Sequence, residues 1–540
     1  MSSVVVSGAF NPAPHSGGDN STYVSLAHGL LTTGSYTEVF DPAGLPHTKY
    51  PPVFPMLLAL LMSLGAHSWV ALKGTSVVAT VVAVGLAFAW TERRLGAWPA
   101  LAVALLFGSS AAVVYYSHWV LSDPVFVALT LASFWALEGS ARAELRRTWW
   151  LAAGVLLAGL AYFTRSAGLP LVVAILAWLA YERRWRTAAV AALAMGLPAL
   201  AWWWRGRGAP ASYAAEFWLV DPYQPTLGTI GVLDLLPRAV TNAVGYVTRH
   251  GPGGIVGPDG DGVAALGIVL TVAALYGWAR TLRERIGPVE LFLPLYTGLI
   301  LLWPVVWSGD RFALPLYPLV FFYGAVTLRD LSRRLPSVVF GPLVALALVV
   351  MLVPAGGSWM RARQEARACA GVVREEGPFA CYGPGVAAFV EAAQWSGSAL
   401  PEGASVLTRK PSHFYVLSGV PSRTFPFDPD PSAQLALADE LGAAYVLIDE
   451  WDALAGRNVG AAVLRRPGAF CFVRAFGRPG AGGAQLLGIL PAADRTDAPP
   501  ASPEEIRISV CPSGYADDAA HEGYSSSSSG TIPLLDGLDP

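Results

Sequence analysis

Long apolar stretches recur along the first two thirds of the chain, and the short connections between them are polar. The stretches lie at about 69–90, 98–118, 121–138, 149–164, 168–182, 187–204, 263–281, 288–307, 311–328 and 337–354. About 20 apolar residues suffice for a helix to cross a bilayer, and tilt or flanking residues extend the shorter stretches. The pattern predicts a polytopic α-helical membrane protein with about 10 spans.

Arginine is concentrated in every second connection. The groups are Arg93 and Arg94; Arg142, Arg146 and Arg147; Arg183, Arg184 and Arg186; Arg280, Arg283 and Arg285; and Arg329, Arg333 and Arg334. Because cytoplasmic loops are enriched in Lys and Arg, we expect these five connections in the cytoplasm and the others, with both termini, outside. This alternation requires that a further apolar segment, 51–66, does not cross the bilayer.

Residues 1–68 are therefore expected to form one external loop with two helices. An amphipathic helix is predicted near 20–33, and 51–66, which has three prolines among its first five residues, is predicted to be an interfacial helix. The residues that follow the spacing of one helical face are Tyr23, Leu26, Ala27, Leu30 and Leu31. We expect the first helix to lie on a membrane or on other helices.

The chain after the last apolar stretch has the alternation of a soluble domain. ASVLTRKP and AAYVLID have strand character, whereas AAFVEAAQW and SAQLALADELG have helical character. We predict a membrane domain at 69–355, an extracytoplasmic α/β domain at 356–495 and a disordered Pro/Ser/Asp-rich tail at 496–540.

Composition agrees with a membrane protein and limits its partners. The chain is 54% hydrophobic and 14% charged, and its net charge of −2 gives no reason to expect a nucleic acid partner. All four cysteines follow the last apolar stretch without CxxC spacing; either one or two disulfides, with three pairings open, or reduced buried thiols fit them. No residue cluster has metal-ligand spacing, so no cofactor is predicted, with a divalent cation left open.

Charged residues at the outer ends of the predicted spans are the informative ones, because the topology does not require them there. They are two carboxylates and three cations: Asp19, Asp123, Lys49, Arg165 and Arg311. The cations can bind the phosphate of a lipid-linked sugar and stabilise it as a leaving group. A carboxylate can take the proton of an attacking acceptor. We predict Asp19 and Asp123 as catalytic residues and the three cations as ligands of the donor phosphate.

Each of these residues also has a structural explanation. Asp19 and Asp123 could belong to helix caps. Arg165 could extend from a span end towards the interface, and Lys49 could contact lipid headgroups. Arg311 could form a weak ion pair with the aspartate that precedes it.

Four stretches resemble the GT-C glycosyltransferases, over roughly 17–330. GGDNSTYVSLAHGLLTTGSYTEVFDPAGLPHTKYPPVFPMLLAL is similar to the first external loop of the protein O-mannosyltransferase and aminoarabinose–lipid A transferase groups. That loop has an acidic residue, a tyrosine four residues on, a helix, a Gly turn and a K-P-P element. YSHWVLSDPVFVALTLASFWAL resembles the second acidic motif, and GLAYFTRSAGLPLVV and RFALPLYPLV resemble later membrane motifs.

The resemblance implies inverting transfer of a sugar from a polyprenyl-phosphate donor to an acceptor protein, lipid or glycan at the outer face of the cell membrane. It aligns Asp19 with the first-loop acid, the usual general-base candidate, and Asp123 with the second acid. Lys49 matches the K-P-P lysine, although Tyr50 intervenes, and Arg165 stands at a basic position near the phosphate.

The same loop departs from the family pattern in two ways. Asn20 replaces the second acid of the commonest Asp-Glu pair, which favours Asp19 alone as the catalytic acid of this loop. Asn20, Tyr23 and His118 are predicted to contact the acceptor or support the site. Relatives also carry a transmembrane helix before this loop, so we expect a helix encoded upstream of Met1.

Two other functions fit the pattern. A transporter or flippase of a lipid-linked saccharide would use the outer arginines to hold phosphate, but the sequence shows no convincing repeat and its candidate charges lie at span ends. A non-catalytic envelope assembly protein would bind its partners through the C-terminal domain.

Overall fold

The computed structural model describes residues 7–14, 17–142, 147–207, 213–258, 262–477, 482–497, 499–500 and 508–516. In chain order, the helices are α1 (Gly18–Thr32), α2 (Val53–Ser63), α3 (Trp69–Leu95), α4 (Ala97–Ser109), α5 (Ala111–Tyr116), α6 (Ser122–Arg142), α7 (Arg147–Thr164), α8 (Leu169–Tyr181), α9 (Trp185–Arg205), α10 (Tyr213–Phe217), α11 (Leu235–Gly245), α12 (Gly251–Val256), α13 (Val263–Glu284), α14 (Pro288–Leu302), α15 (Asp310–Ala313), α16 (Tyr317–Ser332), α17 (Ser337–Glu376), α18 (Pro384–Ala399), α19 (Pro411–Ser418), α20 (Pro431–Leu441) and α21 (Ala461–Arg465). The strands are β1 (Val406–Leu407), β2 (Ser422–Arg423), β3 (Tyr445–Asp449), β4 (Phe470–Phe476) and β5 (Ala484–Ile489).

Long apolar helices form the first two thirds of the protein. In the described part of the chain, α3, α9, α13 and α17 are long and apolar enough to cross a membrane, and shorter apolar helices accompany them. The 40 residues of α17 extend about 60 Å at 1.5 Å per residue, twice the hydrocarbon thickness of a bilayer. This helix runs without a break past residue 355, the predicted domain boundary, and leads into the C-terminal domain.

Two predicted spans are interrupted on the side where the candidate site lies. The stretch 98–118 forms α4 and α5 with a break at Ser110, whose backbone is not helical (φ −56°, ψ 132°). The stretch 311–328 starts as the single turn α15 and continues as α16, which has Pro318 in its first turn. Proline lacks the amide proton that would continue the preceding helix, so it favours a new helix start. The irregular backbone places Tyr116, Asp310 and Arg311 at these ends.

A buried ionic cluster joins the opposite ends of four helices. Arg94 Nη2 lies 2.8 Å from Glu290 Oε1 and Arg94 Nε lies 3.5 Å from Glu138 Oε1. Arg285 Nη2 contacts the same Glu138 oxygen at 3.0 Å, and the Tyr323 hydroxyl donates to Glu290 Oε1 at 3.1 Å. The Glu290 side chain is fully buried. Arg94, which the arginine pattern assigns to a cytoplasmic connection, therefore links α3, α6 and α14.

We expect Arg94→Met to destabilise the protein strongly. It would leave Glu138 and Glu290 with less positive charge in a buried site, and breaking a buried ion pair typically costs about 3–5 kcal/mol. Thermal unfolding of the detergent-solubilised protein measures the loss. Arg283→Met removes an exposed arginine from the end of α13 and is the matched control. Equal melting temperatures for the two variants would contradict a structural role for the cluster.

The first helix is buried on both of its predicted faces. Tyr23, Leu26 and Ala27 are buried as expected of the apolar face, but Ser21 and Ser25 are buried too. The reason is that α19 of the C-terminal domain covers the polar side, with Thr22 Oγ1 donating to Ser412 Oγ at 2.9 Å. The helix therefore lies between other helices; its polar side is covered near its start, whereas Thr32 at its end is exposed.

The second helix of this region is short. The 11 residues of α2 extend about 16 Å, roughly half the thickness of a bilayer core. Its inner face packs through Phe54 on Tyr23, with ring centroids 4.8 Å apart. This length favours the prediction that 51–66 does not cross the membrane.

The C-terminal domain is built on a small mixed sheet with strand order β2-β1-β3-β5-β4. The neighbours β2, β1 and β3 are parallel, and β3, β5 and β4 pair antiparallel. The strands predicted in ASVLTRKP and AAYVLID are confirmed as β1 and β3, and the two predicted helices are confirmed as α18 and α20.

Both pairs of cysteines are joined. The disulfides are Cys369–Cys381 and Cys471–Cys511, which decides among the three pairings that the sequence left open. The second holds residues 508–516 beside β4, where Val510 forms a bridge with Phe472. Residues 498, 501–507 and 517–540 of the tail predicted to be disordered lie outside the described residues, as do Arg146 in the second arginine group and residues 1–6 and 15–16 of the first loop.

Candidate active site

Four of the five charged residues predicted from the sequence meet at one place. Asp19 comes from α1, Asp123 from α6, Arg165 from the turn after α7 and Arg311 from α15. Arg311 Nη1 lies 2.6 Å from Asp19 Oδ2, and Arg311 Nη2 lies 2.8 Å from Asp123 Oδ2. Arg165 Nη1 lies 2.6 Å from the same Asp123 oxygen. We call these four residues the outer network.

Neighbouring polar residues hold the two carboxylates in place. Asn20 Nδ2 donates to the Gly17 carbonyl at 3.0 Å, and Asn20 Oδ1 accepts the amide of Val120 at 2.7 Å. These bonds fix the start of α1 against the loop that leads to Asp123. The Tyr23 hydroxyl lies 2.8 Å from Ser122 Oγ and makes a second link between the two helices. Asn20 and Tyr23 thus support the site structurally.

A sharp turn directs Arg165 into the network. The residue has an extended backbone (φ −148°, ψ 133°) and precedes a short turn that ends at Gly168. A Cβ at Gly168 would lie only 2.8 Å from the backbone nitrogen of Tyr162, so the turn requires glycine here. Arg165 consequently points at Asp123 and does not extend towards the interface.

Arg311 bridges Asp19 and Asp123 and does not pair with Asp310, the residue before it. Its Nε also donates to Asp123 Oδ2 at 2.9 Å, so a single guanidinium contacts both acids. Asp310 accepts the Tyr116 hydroxyl at 2.9 Å. The structural explanation of Arg311 as a partner of Asp310 is therefore wrong.

The two acids differ in accessibility. The Asp19 side chain is 29% exposed and that of Asp123 is 5% exposed. Asp19 Oδ1 accepts the hydroxyl of Tyr50 at 2.7 Å. Burial raises the pKa of Asp19. Arg311 and the hydrogen bond from Tyr50 lower the pKa by more than burial raises it, so the pKa lies below its ordinary value. Asp19 is therefore an ionised carboxylate at neutral pH, and a molecule outside the network can reach its side chain.

Two predicted residues lie apart from the outer network. Lys49 Nζ pairs with Glu216 Oε1 of α10 at 2.5 Å. His118 is buried, and its ring packs edge-on to Phe10 with centroids 5.6 Å apart. Sequence reasoning missed Tyr50, which the K-Y-P-P departure could have indicated. It also missed Glu216, which no motif or spacing in the sequence indicates.

The carboxylates of the outer network contact arginine side chains. Within the described ranges, no group of three or more His, Cys, Asp or Glu side chains is arranged to hold a metal ion. Asp19 and Asp123 are both paired with arginine. The arrangement is suited to binding an anion beside an accessible carboxylate.

Comparisons with known proteins indicate the fold of the chain. A family model described as dolichyl-phosphate-mannose-protein mannosyltransferase matches residues 49–204. The structure of ArnT from Cupriavidus metallidurans bound to undecaprenyl phosphate matches 91% of this chain and 97% of its own, with a TM-score of 0.53 and 14% identity. The chain has the fold of the GT-C membrane glycosyltransferases. The resemblance predicted from the sequence motifs is thereby confirmed.

A second GT-C structure has the same relationship to the chain. The oligosaccharyltransferase of Archaeoglobus fulgidus, tethered to an acceptor peptide, matches 90% of this chain and 73% of its own, with a TM-score of 0.53 and 13% identity. No curated protein has a significantly similar sequence. The GT-C assignment thus comes from the family model and from shape, and the two structural matches at this identity show the fold alone.

Proposed function

We propose that this GT-C protein transfers a sugar from a polyprenyl-phosphate donor to an acceptor outside the membrane, with inversion at the sugar carbon. The observation that carries the proposal is the outer network, in which two guanidiniums and an accessible, ionised carboxylate share one site. Two comparisons support it: the ArnT structure holds undecaprenyl phosphate, and the matching family is named for dolichyl-phosphate-mannose.

The arginines would bind the donor phosphate. Arg165 and Arg311 lie where apolar helices end, which is the depth at which a lipid phosphate lies. A guanidinium presents several N–H groups in one plane and matches the oxygens of a phosphate. As the bond between the sugar carbon and the phosphate oxygen breaks, the same N–H groups stabilise the charge that develops on the leaving phosphate.

Asp19 would act as the general base. The acceptor hydroxyl or amine attacks the sugar carbon from the face opposite the phosphate, a new bond forms to that carbon, and Asp19 takes the acceptor proton. Arg311 now lowers the pKa of Asp19. When the phosphate draws N–H groups of Arg311 to itself, Asp19 becomes a stronger base at the moment the donor is in place.

Asp123 would position the arginines. It is nearly buried and its Oδ2 contacts both Arg165 and Arg311. A carboxylate shared in this way fixes the two guanidiniums relative to each other before the donor arrives, which lowers the cost of ordering them on binding.

The orientation that we propose is a multi-pass protein of the cell membrane with an external site. The outer network lies at the helix ends opposite the arginine-rich connections, which the positive-inside rule assigns to the cytoplasm. Two disulfides in the C-terminal domain suit an oxidising compartment. We retain the division into an external first loop, a membrane domain and an extracytoplasmic C-terminal domain.

The decisive experiment separates transfer from transport. Purified protein in proteoliposomes is given radiolabelled polyprenyl-phosphate sugars, including the mannosyl donor, with a membrane extract as the source of acceptor. We expect release of polyprenyl phosphate in equal amount to the sugar that appears on the acceptor. Translocation of intact donor without release, for every donor that binds, would refute the enzyme and favour the flippase. Mass spectrometry of lipid that co-purifies with the protein guides the choice of donor.

A further inference from the structure

The charges of the outer network cancel one another. Asp19 and Asp123 carry two negative charges, and Arg165 and Arg311 carry two positive charges. The nearby pair of Lys49 and Glu216 is neutral as well. A donor phosphate brings at least one further negative charge into a site that is largely shielded from water, where an unbalanced charge is costly. A further cation beside the network would therefore strengthen the binding of the donor phosphate.

The C-terminal domain brings such a cation to the network. Lys410 follows β1 and directly precedes α19. The helix α19 packs on α1, through the Thr22–Ser412 hydrogen bond and through Val416, which lies in one apolar cluster with Tyr23. Since Ser412 is two residues from Lys410 and Thr22 is one helical turn from Asp19, the lysine lies at the seam between the domain and the active-site helix.

Strand topology explains why this edge of the sheet is charged. β1 and β3 are parallel neighbours, so the residues that follow them emerge at the same edge. Arg409 and Lys410 follow β1, and Trp451 and Asp452 follow β3. The carboxyl ends of parallel strands are where α/β sheets usually bind ligands. Here that edge is turned towards the membrane domain.

Lys410 differs from its neighbour Arg409 in its partners. Arg409 pairs with Asp452, with 3.1 Å between Nε and Oδ2. Lys410 Nζ lies 4.9 Å from the centre of the Trp451 ring. Within the described residues no carboxylate oxygen comes within 4.0 Å of this ammonium. The Lys410 side chain is half-buried and packs beside an aromatic ring. An anion could therefore bind to its ammonium group without displacing a carboxylate.

The electrostatics agree with this placement. Burial and then Arg409 lower the pKa of Lys410, and the acids around it, Asp19 among them, raise the pKa without restoring its ordinary value. An anion bound beside Lys410 would reverse this shift. The influence of Asp19 on Lys410 also indicates that the two side chains belong to one electrostatic site.

We propose that Lys410 binds the phosphate of the polyprenyl-phosphate donor together with Arg311, so that the C-terminal domain completes the donor site. This inference rests on the proposed function. A lipid phosphate lies at the membrane surface, which is where the C-terminal domain meets α1. Lys410 would supply the positive charge that the outer network lacks and would stabilise the leaving phosphate.

The test uses undecaprenyl phosphate, which binds without turnover, and the full-length protein. We expect Lys410→Gln to weaken its binding by about 10- to 100-fold, the effect of one charged hydrogen bond. Lys410→Arg should restore most of the affinity, because it keeps the charge. Arg457→Gln, at an exposed arginine of the same domain, is the matched control and should bind as wild type. Thermal unfolding of each variant checks the fold.

Three outcomes distinguish a failure of the Lys410 inference from a failure of the proposed function. Undecaprenyl phosphate binding that Lys410→Gln leaves unchanged overturns the inference, while a wild-type enzyme that still transfers sugar keeps the proposed function. Unchanged lipid binding with a raised KM for the acceptor assigns Lys410 to the acceptor and also overturns the donor assignment. A wild-type protein that releases no polyprenyl phosphate from any donor refutes the proposed function itself.

Discussion

Asp19→Asn is expected to lower the rate of sugar transfer by about 100- to 10,000-fold, the usual contribution of a general base. Asparagine has nearly the same shape and can still accept the hydroxyl of Tyr50, which now bonds to Asp19 at 2.7 Å. It cannot take a proton from the acceptor. The loss should appear in kcat at saturating donor, with expression and membrane insertion unchanged.

Asp234→Asn is the matched control for this prediction. It makes the same chemical change at an exposed position of the segment between α10 and α11, where Asp234 Oδ2 accepts only the amide of Gly231 at 2.8 Å among the contacts of the described chain. This variant should transfer sugar at the wild-type rate. Transfer by Asp19→Asn at a near wild-type rate would remove Asp19 from the base role and direct attention to Asp123.

Arg311→Lys is expected to lower the transfer rate by about 100- to 1,000-fold, as the loss of an electrostatic donor to a developing oxyanion does. Lysine keeps the charge, but its single ammonium cannot reproduce a fork that contacts Asp19 at 2.6 Å and Asp123 at 2.8 and 2.9 Å. Initial rates over a range of donor concentrations measure the effect. Arg249→Lys, at an exposed arginine in the turn after α11, should leave the rates unchanged.

The pH dependence of Arg311→Lys provides a second readout. Arg311 helps to hold the pKa of Asp19 below its ordinary value, so weakening this contact raises that pKa. Less of the carboxylate is then ionised at a given acidic pH. Activity should therefore begin to fall at a higher pH in the variant than in wild type as the solution is acidified. A wild-type rate with an unshifted acid limb would exclude Arg311 from both roles.

The membrane class and much of the site could be predicted because they depend on local properties of the chain. Apolar length and the alternation of arginine-rich connections are readable in the sequence, and they indicated that Asp19, Asp123, Arg165 and Arg311 share one side of the membrane. A charge at a span end that the topology does not require is a signal in itself. The contacts among these four residues then follow from helix packing.

The surroundings of α1 could not be predicted in the same way. Its helical periodicity divides apolar from polar side chains, but periodicity does not tell whether water or protein covers the polar side. Ser21 and Ser25 are buried, and the C-terminal domain, which begins more than 300 residues later, packs on the same side of the helix through the bond between Thr22 and Ser412. The pairing of Lys49 with Glu216 has the same origin, since 167 residues separate the two.

The sequence by itself determined that the protein is helical and membrane-bound, which arginines mark one side, and which acids and arginines on the other side carry the candidate chemistry. Only the tertiary structure decided that Arg311 joins both carboxylates, that Asp19 is the accessible acid, and that α19 of the C-terminal domain packs on the helix that carries Asp19. The physical reason is the range of the interactions. The length of an apolar stretch and the alternation of charge depend on residues that are close in the sequence. The hydrogen bond between Arg311 and Asp19, which are 292 positions apart, forms only after the helices have packed.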